Sequence, residues 1–419
     1  MSGAYYEDIR NPSAFARAVS PHMSSFQTLQ QSDLFMSGVS RWDRPYLFAC
    51  RVYCPRPSND LPVLSPWLDL RSCDDIHECL GELIKGPRQS NSVLQGMVEP
   101  QIVQDYAEHE GIGYAWAALA PLLLSEHNIQ PPTLALHRER RDTLHRKLQD
   151  SVSSQGSQPA SCRPDTASSK QSWSSGGSSK LSSLGYMEKS SAPLVEDFTI
   201  RFISCILRCV INYAQPANKS APYVHYRDQR LTYTSLEAAG RSVEFKAIDD
   251  GGVQVLHDGD AFQVAILESK RNFQEIIDGT PTVSDELLAQ VVGEALAVRL
   301  SRAQNSIYQN EFVSSIYPDN SGLPLVVDNY LRKDTTFRVF AIVAVKQYVK
   351  VLHFDISSSY LLSFRTLQPS ERSNDQSTLM KVDSTQWLDL AKPSGRKHPV
   401  RHILALVARA DVTEAPETE

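Results

Sequence analysis

The order of helical and strand patterns in the second half of the chain limits the folds that it can adopt. An apolar stripe at helical spacing is followed by β-rich runs, a second apolar helix and a final pair of alternating runs. The predicted elements are a helix over 194–214, strands over 242–248, 253–257 and 261–271, a helix from Ser284 to about 304, and strands over 337–345 and 348–354. This order predicts an α/β (α+β) domain over 193–419, in which helices flank a mixed central sheet.

The third predicted strand is apolar along most of its length and yet ends in charge. Because strand side chains alternate between faces, we expect Glu268 and Lys270 to share a face with Phe262, Val264 and Ile266. A glutamate and a lysine on one face of a buried strand require a partner or a role. The alternative is a strand end that emerges into solvent with a simple ion pair.

The turn before this strand determines which aspartate faces its charged end. A three-residue turn that starts at Asp258 would place Asp250 opposite Glu268, whereas a two-residue Gly259-Asp260 turn would place Asp249 opposite Lys270. Directly opposed residues share a face, with Cβ atoms roughly 5 Å apart. Either register therefore predicts an aspartate, a glutamate and a lysine at one place.

This combination of side chains suits metal-assisted chemistry on a phosphodiester. Two carboxylates at such a distance repel each other unless a cation lies between them, and hard oxygen ligands suit Mg²⁺ or Mn²⁺. A bound cation activates water and neutralises charge on the phosphate, while a lysine supports the nucleophile or the transition state.

The order of elements and the residues at the strand end resemble the PD-(D/E)XK nuclease-like superfamily, in particular its fungal intracellular members. The resemblance covers residues 193 to about 360, and it implies a restriction-endonuclease-like αβββαβ core. Asp250-Gly251 would correspond to the Pro-Asp-Gly-like element, and Glu268-Ser269-Lys270 to the Glu-x-Lys element. Asp249 stands where the family has proline, which leaves both aspartates as candidate ligands.

The resemblance assigns roles to particular residues. It implies Asp250, Glu268 and Lys270 as catalytic residues, and Asp250, Glu268 and the carbonyl of Ser269 as ligands of Mg²⁺ or Mn²⁺. It adds three accessory residues: Glu196, Asp249 and Gln290. The implied function is a metal-dependent nuclease that hydrolyses phosphodiester bonds of nucleic acid. The alternative is a catalytically inactive nuclease-fold module that binds or scaffolds protein or nucleic acid, and it is favoured by the 24 Lys and Arg against 28 Asp and Glu in residues 193–419.

The first half of the chain carries no comparable pattern. Up to about residue 44 no period is sustained, and helices are predicted over 74–84 and 102–125, so residues 1–136 are expected to be partly disordered and partly helical. A charged helical segment and a serine-rich stretch, with 16 serines in residues 151–191, predict a disordered linker over 137–192.

Composition indicates the compartment and the partners. Seven irregularly spaced cysteines are typical of a reducing compartment. The first thirty residues lack the pattern of a secretory signal, and no window approaches eighteen consecutive apolar residues. We therefore expect an intracellular protein, in nucleus or cytoplasm, that has no membrane partner. Nucleic acid is the expected partner, and the N-terminal region is a candidate contact for a protein partner.

Overall fold

A mixed β-sheet with helices on both faces forms the centre of the fold. The computed structural model describes residues 3–32, 35–68, 78–127, 194–219, 222–236, 243–257, 260–277, 279–314, 338–371 and 376–413. The described residues before 125 and after 193 belong to one compact unit. The predicted charged helix and linker, 137–192, lie outside the described residues.

The described helices occur in two groups along the chain, separated by residues 128–193. The first group is α1 (Tyr5–Asp8), α2 (Pro12–Ala18), α3 (Phe26–Gln30), α4 (Arg44–Ala49), α5 (Ser65–Leu68), α6 (Glu78–Lys85), α7 (Asn91–Leu94), α8 (Glu99–Gln104) and α9 (Glu110–His127). The second group is α10 (Leu194–Ala214), α11 (Asp285–Ser314), α12 (Ser358–Ser363) and α13 (Pro393–Thr413). Short 3₁₀ turns lie at Val39–Arg41, Pro62–Leu64, Ala107–His109 and Gln376–Thr378.

The described strands form one large sheet and two small ribbons. They are β1 (Val52–Tyr53), β2 (Tyr223–Arg227), β3 (Thr232–Leu236), β4 (Val243–Ile248), β5 (Gly251–His257), β6 (Asp260–Lys270), β7 (Ile276–Ile277), β8 (Thr280–Pro281), β9 (Val339–Val345), β10 (Tyr348–Asp355), β11 (Met380–Ser384) and β12 (Leu388–Asp389). The large sheet has the order β1-β11-β10-β9-β6-β5-β2, with β12 paired to β10. Strands β3 and β4 form one ribbon, and β7 and β8 the other.

The connection between β6 and β9 determines the layering of the domain. These two strands are parallel, whereas β5 pairs antiparallel with both of its neighbours, β2 and β6. Parallel neighbours require a crossover, and α11 lies between β6 and β9 in the chain. Its start is as predicted, because the Ser284 hydroxyl accepts a hydrogen bond from the Leu287 N–H at 3.2 Å.

Two hydrophobic cores lie on opposite faces of the sheet. On one face, α10 and α13 cover the sheet, and α9 belongs to the same core; its buried residues include Trp116, Phe202 and Leu404. On the other face, α11 and the N-terminal helices cover it through residues such as Leu288 and Trp42. The predicted helix over 194–214 and the predicted hairpin after residue 337 are present, and the mixed sheet with flanking helices is confirmed.

The predicted alternation along β6 fails at one residue. Val253 pairs with Ala265 but Gln254 pairs with Gln263, so Val264 is an unpaired bulge residue. Val264 and Phe262 consequently pack on the α10 side of the sheet, whereas Ile266 packs on the α11 side. The prediction that Phe262, Val264, Ile266 and the charged end share one face is therefore wrong for the first two.

The strand predicted over 242–248 is β4, and it does not belong to the large sheet. Strand β4 pairs with β3, and the strand that pairs with β5 is β2, which the sequence pattern did not reveal. Gly251 and Gly252, which lie between the predicted strands over 242–248 and 253–257, are the first residues of β5. Gly251 has a φ of 143°, and a Cβ on it would lie 2.7 Å from the Tyr226 hydroxyl, so this position requires glycine.

The N-terminal region differs from the loosely packed segment that its sequence predicts. Phe26 and Trp42 are fully buried with ring centroids 5.6 Å apart, and both rings pack against Phe245 of β4. Gly293 of α11 permits this approach, because a Cβ there would lie 2.8 Å from the Trp42 ring. These short helices lack a core of their own, and they are ordered by their contacts with α11, with Phe245 of β4 and with β1.

One of the two helices predicted in the N-terminal region is broken. Helix α6, Glu78–Lys85, matches the described part of the helix predicted over 74–84, and residues 74–77 lie outside the described part. The single helix predicted over 102–125 is divided into α8, a 3₁₀ turn and α9. Among the described residues, no helix is long and apolar enough to cross a membrane.

Candidate functional site

The candidate site lies where β5 diverges from β6. The last residue pair between them is Gly251 with Leu267, whereas pairing with β9 continues to Lys270. Asp250, which precedes β5, forms hydrogen bonds with β6 where a paired strand would otherwise form them. Its N–H donates to the Leu267 carbonyl at 2.9 Å, and its Oδ2 accepts from the Ser269 N–H at 2.9 Å. A backbone donor that lost its strand partner is thus satisfied by a carboxylate.

Glu268 is the most buried acid among the residues predicted for catalysis. Its side chain is 3% exposed, and its Oε1 accepts hydrogen bonds from Lys270 Nζ at 2.5 Å and from Gln290 Nε2 at 2.6 Å. Burial raises the pKa of Glu268 to about 7, against the attraction of Lys270 and with a further contribution from the charge of Asp250. Its protonation is therefore sensitive to any cation that approaches it.

Lys270 is held in its charged form by the surrounding acids. Burial alone would lower its pKa, but the charge and hydrogen bond of Glu268, with the charges of Glu294 and Glu196, raise the pKa of Lys270 above its ordinary value. The ammonium group at this strand end is consequently a fixed positive charge at neutral pH.

Helix α11 supplies an amide and a second acid. Gln290 Nε2 also donates to Glu294 Oε1 at 2.8 Å, one helical turn further along. Glu294 is fully buried, and burial, together with the charge of Glu268, raises its pKa well above the ordinary value. Its side chain also forms a hydrogen bond with Glu268. The sequence prediction missed Glu294, although an acid four residues after Gln290 on an apolar helix was a usable signal.

Asp249 and Asp250 have different surroundings. The Asp249 carboxylate accepts hydrogen bonds from Arg227 at 2.5 Å, from the Tyr233 hydroxyl at 2.8 Å and from the Leu231 N–H at 2.9 Å, and it is fully buried. These contacts join β2, β3 and β4 at their ends. Asp250 thus lies beside Ser269 at the strand end, whereas Asp249 links the ends of three strands through its hydrogen bonds.

The other two predicted residues differ in their contacts with the acids of the site. Glu196, in the first turn of α10, acts on Lys270 through its charge. Ser269 is fully buried, its N–H is bonded to Asp250, and its hydroxyl has no hydrogen-bond partner among the described residues.

A cleft of about 860 Å³ opens beside Asp250. Arginines and acids line it and form ion pairs. The pairs are Arg201 with Glu99 at 2.6 Å, Arg230 with Asp250 at 3.0 Å, and Arg208 with Asp228. Asp250 therefore lies at the boundary between the buried acids of the strand end and solvent.

The donor set is chemically compatible with a hard divalent cation. Asp250 and Glu268 offer carboxylate oxygens, whereas the buried Glu294 forms a side-chain hydrogen bond with Glu268. Within the described ranges, no group of three or more His, Cys, Asp or Glu side chains is arranged to hold a metal ion. A bound cation would thus depend on two carboxylates supplemented by carbonyl oxygen and water.

Comparison with known proteins adds no assignment. The sequence matches no protein-family profile, and neither a curated protein nor a solved structure is significantly similar to it.

Proposed function

We propose that the chain is a metal-dependent nuclease with its active site at the end of β6. The observation that carries this proposal is the arrangement at one strand end: Asp250 is bonded to the backbone of Ser269, and the adjacent Glu268 is bonded to Lys270. The chain order α10, β2, β5, β6, α11, β9, with β9 parallel to β6, supports a restriction-endonuclease-like core.

Each residue has a role that follows from its contacts. Asp250, Glu268 and the Ser269 carbonyl would hold Mg²⁺ or Mn²⁺, which supplies charge neutralisation at the phosphate and a more acidic bound water. Lys270, charged and partly exposed, donates hydrogen bonds to oxygen that becomes negative in the transition state. Gln290 fixes the orientation of Glu268 through its amide.

A second candidate function rests on the same residues. Asp250 is already paired with Arg230, and Glu268 is almost inaccessible to solvent. These two observations favour a catalytically inactive module that keeps the fold and binds nucleic acid or protein.

A cleavage assay on the full chain distinguishes the two functions. Labelled DNA and RNA are incubated with the protein in Mg²⁺, in Mn²⁺ and in EDTA. We expect metal-dependent cleavage that falls at least about a hundredfold in Glu268→Gln. The matched control is Glu286→Gln, an exposed acid in the first turn of α11, which should cleave as the wild type does. Cleavage that persists in Glu268→Gln would contradict the assigned site, and binding without cleavage would support the inactive module.

A further inference from the structure

The ion pair between Arg230 and Asp250 joins an exposed side chain to a buried one. Arg230 Nη2 lies 3.0 Å from Asp250 Oδ1, and the two side chains are 55% and 11% exposed. The other carboxylate oxygen, Oδ2, is held by the Ser269 N–H. Asp250 is therefore fixed in place, whereas Arg230, between β2 and β3, can leave it for solvent at small cost.

Arg230 occupies the oxygen that a cation would need. A divalent ion at Asp250 would compete with the guanidinium for Oδ1, and the two positive groups would repel each other. A displaced arginine at the edge of a cleft is a ready donor for phosphate, since its planar fork matches two phosphate oxygens.

The charge of the cleft supports such an exchange. Its lining carries three guanidinium groups and four carboxylates, so one negative charge is in excess; these are Arg201, Arg208, Arg230, Glu99, Asp197, Asp228 and Asp250. A lining of this kind does not attract a polyanion. A divalent cation at Asp250 would make the balance positive and would leave Arg230 without its partner.

We propose that Arg230 couples the two ligands of the site: it rests on Asp250 when no cation is bound, and it binds a phosphodiester of nucleic acid when a cation takes Asp250. This inference rests on the proposed function, and it names a substrate-binding residue and the order in which the site becomes competent. Since coupling between two ligands is reciprocal, nucleic acid also tightens the binding of the cation.

The test compares Arg230→Gln with the wild type in the full chain, without relying on turnover. Mn²⁺ alone is titrated by calorimetry, and labelled DNA and RNA oligonucleotides are titrated by fluorescence anisotropy in Ca²⁺. We expect Mn²⁺ to bind about threefold more tightly to the variant, because a weak competing ion pair is gone. We expect the oligonucleotide to bind about tenfold more weakly, and the slope of log K against log salt to fall by about 1.

Two further variants separate this role from a structural one. Arg201→Gln removes an ion pair of similar exposure, 43% for the arginine, from the same cleft, and it should leave Mn²⁺ affinity unchanged. Arg230→Lys keeps the charge but loses the fork, so it should retain the salt slope of the wild type and recover only part of the oligonucleotide affinity. The DNA and RNA arms identify which polymer supplies the phosphodiester.

The possible results distinguish a failure of this inference from a failure of the proposed function. If the wild type binds Mn²⁺ through Asp250 and Glu268 but Arg230→Gln changes neither Mn²⁺ nor oligonucleotide affinity, the inference is overturned and the proposed site stands. If the wild type binds no Mn²⁺, both are overturned. Tighter Mn²⁺ binding together with weaker oligonucleotide binding in the variant supports the coupling.

Discussion

At the scale of single residues, two adjacent aspartates receive different roles from their neighbours. The sequence predicts that an aspartate, Glu268 and Lys270 meet at one strand end, but it leaves Asp249 and Asp250 as equal candidates. The side chains that separate them, Arg227 and Tyr233, lie on β2 and β3, two short strands whose patterns are too brief to be recognised. The choice between the aspartates therefore depends on tertiary contacts.

The two aspartates should respond differently to the same substitution. Asp249→Asn leaves the guanidinium of Arg227 buried without a counter-charge, and we expect the free energy of unfolding to fall by about 3 kcal/mol. Asp250→Asn loses the pair with an exposed arginine, while the amide oxygen can still accept from the Ser269 N–H, so it should cost less than about 1 kcal/mol. Mn²⁺ affinity should behave in the opposite way, with a loss of more than about tenfold in Asp250→Asn alone. Chemical denaturation and Mn²⁺ titration measure both effects, and equal stability losses would contradict the division of roles.

At the scale of elements, the start of β5 determines where Asp250 lies. The chain leaves β4, which belongs to a separate ribbon, and enters the large sheet at Gly251, so the carboxylate is placed at the point of divergence. Sequence patterns predicted β5 and β6 as a hairpin. They could not predict the bulge at Val264, which shifts the register by one residue between the tip and the site. That shift is why the strands, which pair His257 with Asp260 near the tip, reach at Gly251 the register expected for a three-residue turn that starts at Asp258.

Gly251 should not tolerate a side chain. Gly251→Ala would impose a φ of 143° on alanine and place its Cβ 2.9 Å from the Arg227 carbonyl, which as backbone cannot easily move. We expect the free energy of unfolding to fall by about 2–4 kcal/mol. The matched control is Gly81→Ala in α6, where a Cβ would meet nothing within 4 Å. That change should stabilise the protein by about 0.5–1 kcal/mol, because alanine favours the helix. Denaturation curves with the same sign for both variants would refute this account.

At the scale of the whole molecule, the first part of the chain completes the domain that carries the site. The sequence separates residues 1–136 from residues 193–419 because the serine-rich stretch divides them and no long period precedes residue 44. The structure unites the described residues of both parts in one compact unit. Single aromatic residues spaced irregularly along short helices leave no periodic signal, yet together they cover one face of the sheet.

Residues 194–419 alone should therefore not fold stably. Their α11 face would lose the fully buried side chains of the N-terminal helices, among them Tyr5, Tyr6, Phe26, Trp42 and Leu47. Burial of such side chains contributes about 1.5–3 kcal/mol each, so five losses are comparable with the whole stability of a domain, about 5–15 kcal/mol. We expect the fragment to lack a cooperative thermal transition and to bind a hydrophobic dye. Co-expression with residues 1–127 as a separate chain should restore one transition in a purified complex. A cooperative transition of the fragment alone, at the melting temperature of the full chain, would show that the second part is an independent domain.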